Sequence, residues 1–324
     1  MRRKTAAKTN SFSTFAPSLA VIAALVAMFW ATQGQAKAAP SDQTTFRSAS
    51  AAIEALIAAA KAGNTEQVLQ ILGADAEEVV RSGDPVADES ARARFVKAYE
   101  EAHALKAQDD GSEVLHIGSE DYPFPIPLVE EKGVWKFDTA AGLDEILTRR
   151  IGENELAAIE VLKAYVAAQE EYAARDRDGS GPQYARRITS TQGNRDGLYW
   201  DNVDGQGESP LGVLLAGAAA EGYGGGNAAD ETTRPYHGYF YKLLLCQGPS
   251  AEGGARDYLL NDRMIGGFAM VAAPAKYGNS GIMTFIVNQD GKVFEKDLGE
   301  ETPRLASEMS SFDPDSSWRR SQSE

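Results

Sequence analysis

The stretch Asp176-Arg-Asp-Gly-Ser-Gly holds the side chains best suited to binding a ligand in this 324-residue chain. Asp176, Asp178 and Ser180 stand at alternating positions after a predicted helix, and the next glycine lies where a calcium loop turns sharply. Oxygen ligands at this spacing fit a structural Ca²⁺ site of millimolar affinity. Because Arg187 stands at the twelfth position, where such a loop needs a glutamate, a solvated acidic turn is the favoured interpretation and the calcium site is the alternative.

The three histidines and the single cysteine predict no catalytic or metal-binding motif. His103 is expected at the tail of a helix, His116 in a strand, and His237 at the start of an aromatic strand. Cys246 lies in an apolar, strand-like run, which predicts a buried and unreactive thiol. Ser280 is expected in a tight turn, since the spacing of a nucleophile elbow is missing. No catalytic residue and no cofactor other than Ca²⁺ is therefore predicted.

Paired carboxylates are the remaining candidates for acid–base chemistry. Asp84 with Asp88, and Asp313 with Asp315, would have to face each other across a cleft at about 5–10 Å. Their positions favour structural roles instead, because Asp88 is expected to cap a helix and Asp84 to begin a turn.

Two aromatic segments offer surfaces for binding. Leu198–Trp200 and Pro235–Tyr241 are rich in tyrosine and tryptophan, which line grooves for sugars and peptides. Packing of alternating strand faces into a core is the alternative.

Two segments of different character must position these residues. Residues 41–152 predict an α+β domain, in which helices precede an antiparallel meander. The helices are expected at 51–62, after Asn64 and at 89–105, and the strands at 114–118, 125–129 and 134–137 with a turn at Glu131–Gly133. This order resembles the cone-shaped domains of the nuclear-transport-factor-2-like superfamily, a resemblance that carries no site residues across.

Residues 153–324 predict a second domain, built from a long helix and an antiparallel sheet. The helix is expected to begin at Glu153, and its wide apolar arc requires a sheet around it. The strands are expected at 236–246, 267–272, 281–288 and 292–296, with a hairpin turn at Gln289–Gly291. The helix from Ala158 to Tyr172 and the late hairpin resemble the globular part of type IV pilins and pseudopilins. In pilins, however, the hydrophobic assembly segment is continuous with that helix.

The N-terminus predicts export. Residues 1–38 combine a basic leader with the apolar run Leu19–Ala31, which as a helix reaches roughly 20 Å and is too short to span a bilayer. Ala36-Lys37-Ala38 offers a signal-peptidase site, so cleavage after Ala38 and a periplasmic location are expected. The alternative is an uncleaved anchor in the inner membrane.

The charge of the chain excludes some partners. The formal net charge is −15, and removal of residues 1–38, which hold five basic residues and no acid, leaves 27 basic against 47 acidic residues, or −20. Such a surface repels nucleic acid and anionic membranes, so neither is an expected partner.

A longer resemblance covers nearly all of the chain after residue 38. It is carried in order by several motifs, which include Ser82–Asp88, Arg149–Leu156, Pro235–Tyr239 and Tyr277–Asn288. These motifs resemble the bacterial family of domains of unknown function numbered 2950. The resemblance implies an exported protein with no assigned activity.

Together these features favour a non-catalytic binding or scaffold module of the cell envelope, with an envelope protein as its partner. A carboxylate-based envelope hydrolase and a pilus- or secretion-associated subunit are the alternatives. The sequence does not decide whether the protein is an enzyme, and the lack of a recognisable catalytic motif weighs against it.

Overall fold

The computed structural model describes residues 43–73, 75–176, 179, 181–200, 208–223 and 234–322. The helices are α1 Ala49–Lys61, α2 Thr65–Leu72, α3 Ala76–Val80, α4 Pro85–Glu101, α5 Thr139–Ala173, α6 Gly212–Ala220 and α7 Thr302–Glu308, with a 3-10 turn at Gly299–Glu301. No helix in these ranges is both long enough and apolar enough to cross a bilayer.

The strands form mainly antiparallel sheets, so the predicted α+β class is confirmed. In the first half they are β1 His103–Ala107, β2 Glu113–Ile117, β3 Tyr122–Pro123, β4 Leu128–Glu131 and β5 Val134–Phe137. In the second half they are β6 Tyr239–Leu244, β7 Cys246–Gln247, β8 Arg256–Asp257, β9 Leu259–Leu260, β10 Arg263–Met264, β11 Ala269–Pro274, β12 Met283–Asn288, β13 Phe294–Asp297, β14 Ser311–Phe312 and β15 Arg319–Arg320.

The first sheet has the order β1-β2-β4-β5, with β3 also paired to β2. Its last hairpin turns at Lys132 and Gly133, whose φ angles of 53° and 82° are those of a two-residue turn with both residues left-handed. The sheet and helices α1 and α2 enclose one apolar cluster, in which Leu56, Leu115 and Leu128 are buried. The predicted meander and its turn are therefore confirmed.

The second sheet has the order β15-β13-β12-β11-β6, and helix α5 packs against its central strands β11 and β12. Ile159, Leu162 and Tyr165 of the helix are buried there with Phe285 of β12 in a second apolar cluster. The predicted long helix packed on an antiparallel sheet is confirmed in this half.

The predicted start and the predicted end of the helix at 89–105 are both wrong. Helix α4 begins at Pro85, not at residue 89, and its cap is Asp84, whose Oδ1 accepts from the amides of Val86 and Ala87. Asp88 lies inside the first turn instead, and both of its carboxylate oxygens accept from the amide of Ser82. A proline at the first helical position is well placed, because its missing N–H would have no partner there.

His103 begins strand β1 and does not end a helix. Helix α4 stops because the amide of Gly118 donates to the carbonyls of Ala98 and Ala102, after which the chain runs extended beside β2. Propensity alone did not reveal this pairing, since it depends on a strand that lies later in the chain.

The predicted start of the long helix at Glu153 is also wrong, because α5 begins at Thr139 and has 35 residues. Asp138 caps it, with Oδ1 accepting from the amide of Ala141 at 3.3 Å. Gly142 lets the helix approach the chain closely, since a Cβ there would lie 2.5 Å from the carbonyl oxygen of Pro125. Glycine in a helix interior weakens the helical pattern. Because Gly142 and Gly152 both lie in this helix, the pattern does not indicate the turns between Thr139 and Gly152.

Candidate binding surfaces

The described part of the candidate calcium loop binds an arginine. Asp178 and Ser180 lie outside the described residues, and Asp176 Oδ1 accepts from the amide of Gly179 at 2.8 Å. Arg263 Nη2 donates to the carbonyl oxygens of Gly181 at 3.0 Å and Pro182 at 3.4 Å. Pro182 is the seventh position of the loop, whose carbonyl would have to face the ion, and that carbonyl accepts from Arg263. The calcium site stays a prediction.

We expect the melting temperature of the protein to be the same in several millimolar CaCl₂ and in MgCl₂, because the Arg263 guanidinium already binds the carbonyl oxygens of Gly181 and Pro182. Thermal denaturation followed by circular dichroism measures this. A rise of several degrees in CaCl₂ alone, lost in Asp176→Asn, would show that the loop binds calcium, since a ligand stabilises the state that binds it.

The three histidines lie in separate environments. His103 and His116 are on adjacent strands but on opposite faces of the sheet, because the register pairs His103 with Ile117 and Ala104 with His116. His237 Nε2 lies 3.4 Å from Glu221 Oε2, in the second half of the chain. Within the described ranges, no group of three or more histidine, cysteine, aspartate or glutamate side chains is arranged to hold a metal ion.

Cys246 is half-buried and not fully buried as predicted. Its Sγ donates to the carbonyl oxygen of Ser310, and burial raises the pKa of the thiol, with the carboxylate of Asp257 adding to this shift. A raised thiol pKa lowers the fraction of nucleophilic thiolate near neutral pH. Ser280 lies in a tight turn as predicted, where its amide donates to the carbonyl of Lys276.

The aromatic segments divide between core and surface. Tyr239 is fully buried and donates from its hydroxyl to the carbonyl oxygen of Met283 at 2.9 Å. Trp200 is nearly buried beneath the guanidinium of Arg195. Tyr199, Tyr236, His237, Phe240 and Tyr241 are half-exposed. Packing in the core therefore explains only part of these side chains.

A polar network, which we call the junction, joins the two halves of the molecule around Arg150. Arg150 lies on α5 between the two apolar clusters, and its Nη1 donates to the carbonyl oxygen of Glu78 at 2.8 Å and to Asn279 Oδ1 at 2.6 Å. Its Nη2 donates to the carbonyl oxygen of Val79. Burial lowers the pKa of Arg150, whereas the carboxylates of Asp88 and Glu78 oppose that shift.

The partners of Arg150 are themselves paired across the junction. Asn279 is buried and donates from Nδ2 to the carbonyl oxygen and to Oε2 of Glu78, at 2.9 and 2.6 Å. Lys276 Nζ lies 2.7 Å from the same Oε2. The hydrogen bond from Lys276 is the largest cause of the lowered pKa of Glu78. Helix α3 is thus fastened to the turn before β12.

Asp84 makes a second connection across the junction. It is fully buried, and besides capping α4 it accepts at Oδ2 from the hydroxyl of Tyr223 and from the amide of Gly238, each at 2.9 Å. On the same side of the junction, Glu155 Oε1 accepts from the amides of Ile282 and Met283. These carboxylates hold backbone and side chains in place.

An aromatic cluster lies at the surface, and its Tyr223 is hydrogen-bonded to buried Asp84. We define it as Tyr223, Tyr236 and His237, all half-exposed, together with Glu221 at its rim. The ring centroids of Tyr223 and Tyr236 are 4.8 Å apart with the planes at 83°, and those of Tyr236 and His237 are 4.2 Å apart at 52°. The rings therefore enclose a corner and not a flat platform.

An apolar groove runs between α5 and α6. Its volume is about 330 Å³. Its lining residues are Ala164, Ala167, Ala168 and Glu171 of α5, and Pro210, Leu211, Val213 and Leu214 at the start of α6. Helix α6 contains no polar side chain, Ala218 is its one buried residue, and Val213 is 86% exposed. A helix that is apolar on every side is normally buried, so α6 has the composition of an interface.

Four segments that carry the family resemblance meet at the junction. They are Ser82–Asp88, Arg149–Leu156, Pro235–Tyr239 and Tyr277–Asn288. They are joined by the bonds of Asp84 and Arg150 described above and by Asn154 Nδ2, which donates to the carbonyl oxygen of Ser280 at 2.8 Å. Their separation along the chain concealed this convergence, and no short motif in the sequence pointed to Arg150 or Asp84 as its centre.

A known protein family matches most of the chain. The model of a family described as protein of unknown function (DUF2950) matches residues 43–321. No curated protein matches the chain, and no solved structure matches it. The likenesses of the two halves to nuclear-transport-factor-2-like domains and to pseudopilins, and the division into domains at residue 152, stay predictions.

Proposed function

The chain belongs to the DUF2950 family of proteins of unknown function, and from its surface we propose that it is an exported envelope protein that acts by binding a partner protein, without catalysis. The observation that carries this proposal is the apolar groove beside α6. Its occupant is an amphipathic helix of the partner, with basic residues on the polar face.

The shape and composition of the groove support a helical occupant. Small residues of α5, Ala164 and Ala167, form the floor, while Val213 and Leu214 form one wall. A floor of small side chains lets another helix approach closely, and helix-in-groove binding relies on such apolar contacts. Val213 is 86% exposed, so an occupant that covers it would gain the most from burying apolar surface there.

Charge supports a basic occupant. Glu171 lines the groove and Glu170 lies beside it, and both are exposed. Among the described residues neither has an ion-pair partner, whereas Glu160, one turn before Ala164, is paired with Lys163. The chain after residue 38 carries −20, so lysines or arginines on the occupant would be attracted from a distance.

The roles of the carboxylates support binding over hydrolysis. A carboxylate hydrolase needs two carboxyl groups that face a cleft and reach a substrate. Glu78, Asp84 and Glu155 at the junction instead accept hydrogen bonds from backbone amides and neighbouring side chains. Export is supported by residues 1–38, whose composition is that of a cleaved signal peptide.

A synthetic amphipathic helix, with leucines on one face and lysines on the other, tests the groove. We expect it to bind the protein, and Val213→Lys to weaken this binding at least tenfold, because the variant removes apolar contact and repels the peptide. Titration calorimetry gives both affinities. Leu260→Lys is the matched control, since Leu260 is also exposed, at 47%, but lies outside the groove.

Equal affinity for a scrambled peptide of the same composition, or equal weakening by both variants, would contradict the proposal. In cells, a photo-crosslinking residue at position 213 is expected to label an envelope protein, and the synthetic helix should compete with this labelling. A cross-link to residues 1–38 of the same chain would identify an uncleaved N-terminus as the occupant, and a cross-link to a second copy would show a dimer. Mass spectrometry of the purified protein should give Ala39 as its first residue.

A further inference from the structure

We propose that the aromatic cluster of Tyr223, Tyr236 and His237, with Glu221 at its rim, is a binding site for an organic cation, such as the ammonium group of a lysine side chain or of a small amine. This site is separate from the apolar groove and does not depend on it. Three features of the cluster point to a positively charged ligand.

The first feature is the arrangement of the rings. Tyr223 and Tyr236 meet at 83° and both are half-exposed, so ring faces border the corner between them. The electron-rich face of a tyrosine attracts a cation within about 6 Å of the ring centroid. A flat sugar ring would instead favour a single broad aromatic face. The hydroxyl of Tyr236 has no hydrogen-bond partner in the described part of the chain, so it is free to accept from an ammonium group.

The second feature is negative charge at the rim, on the side of Glu221. Glu221 Oε2 lies at the rim, 3.4 Å from His237 Nε2, and Glu221 is also the residue that follows the last turn of α6. The carbonyl end of a helix carries a partial negative charge. Burial raises the pKa of Tyr236 to about 12, and the carboxylate of Glu221 adds to the shift, as expected where the local potential is negative.

The third feature is that the cluster is held rigidly. The hydroxyl of Tyr223 is fixed on buried Asp84 and also accepts from the amide of His237 at 3.3 Å. His237 has a φ of +49°, which is uncommon outside glycine and is held here by its surroundings. A Cβ at Gly238 would lie 2.5 Å from Asn154 Nδ2, so the next residue is pressed against α5. A site fixed before binding loses little entropy when a ligand arrives.

Titration with N-acetyl-lysine methylamide tests the site, and we expect it to bind wild-type protein. Tyr236→Leu should weaken binding about 2- to 30-fold, the range of cation–π energies. Glu221→Gln should weaken it by a smaller factor, and added NaCl should reduce the affinity for wild-type protein. The control is Tyr122→Leu, since Tyr122 is 45% exposed but already carries the guanidinium of Arg149 over its ring. Choline, tested in parallel, separates recognition of any organic cation from recognition of a lysine-type ammonium that donates hydrogen bonds.

The neutral norleucine analogue is expected to bind at least tenfold more weakly than the lysine derivative. Equal binding of the two, equal weakening by Tyr122→Leu and Tyr236→Leu, or no heat of binding for either cation at tens of millimolar would overturn the proposal. Binding of N-acetylglucosamine that is lost in Tyr236→Leu, without cation binding, would show a sugar site in its place. A melting temperature for Tyr236→Leu equal to that of wild-type protein shows that the variant folds.

Discussion

Replacement of Arg150 by methionine is expected to lower the free energy of unfolding by about 3–5 kcal/mol. Methionine retains the aliphatic stem of the arginine, so the loss comes from the polar groups left behind. The carbonyl oxygen of Val79 and the Oδ1 of Asn279 would lose the donor that joins them to α5, whereas the carbonyl oxygen of Glu78 would keep its bond from Asn279 Nδ2. Buried acceptors without a partner each cost about 1–3 kcal/mol. Denaturation in urea, analysed by linear extrapolation, measures this change.

Arg149→Met is the matched control for this experiment. Arg149 is the neighbouring residue on the same helix, but it is partly exposed and pairs with Glu145 one turn away at 2.5 Å. Surface pairs of this kind contribute about 0–1 kcal/mol. A similar loss in both variants would mean that the junction does not depend on Arg150.

The second large effect is expected for Asp84→Ala, which should also lower the free energy of unfolding by about 3–5 kcal/mol. The loss of a helix cap accounts for about 1 kcal/mol of this. The remainder arises because the hydroxyl of Tyr223 and the amide of Gly238 would lose the buried carboxylate that accepts from both. Urea denaturation again gives the value, and near-ultraviolet circular dichroism should show a changed tyrosine environment.

Asp138→Ala separates the two contributions. Asp138 is also an aspartate cap, at the start of α5, but its carboxylate has the single hydrogen bond to Ala141. This variant is expected to lose about 1 kcal/mol. Equal losses in Asp84→Ala and Asp138→Ala would show that Asp84 acts only as a cap. A double-mutant cycle of Asp84→Ala with Tyr223→Phe should give a coupling of about 0.5–3 kcal/mol, the range for residues in contact.

Local features of the fold could be read from the sequence because they depend on neighbouring residues. Asn64 caps α2 by accepting from the amide of Gln67, and the turn at Lys132 and Gly133 closes the last hairpin of the first sheet, both as predicted. Strand β12 and its hairpin partner were recognised for the same reason, since alternation and a turn are local patterns.

The junction could not be predicted, because its bonds join residues that are far apart in the chain. Arg150 and Asn279 are 129 positions apart, and Asp84 and Gly238 are 154 apart. The sequence predicts that Asp84 begins a turn, and it predicts no role for Arg150. The role of an aspartate or an arginine depends on the groups it bonds to, and here those groups lie far away in the chain. The start of α5 was predicted too late because two glycines, Gly142 and Gly152, interrupt the helical pattern, and the second stands directly before Glu153.

Helix α5 runs through both halves of the molecule. Its first turns pack beside the first sheet, its later turns lie in the core of the second, and Arg150 holds the loops of both where they meet. Division of the chain at residue 152 would therefore break α5 within the helix and expose apolar surface on both fragments.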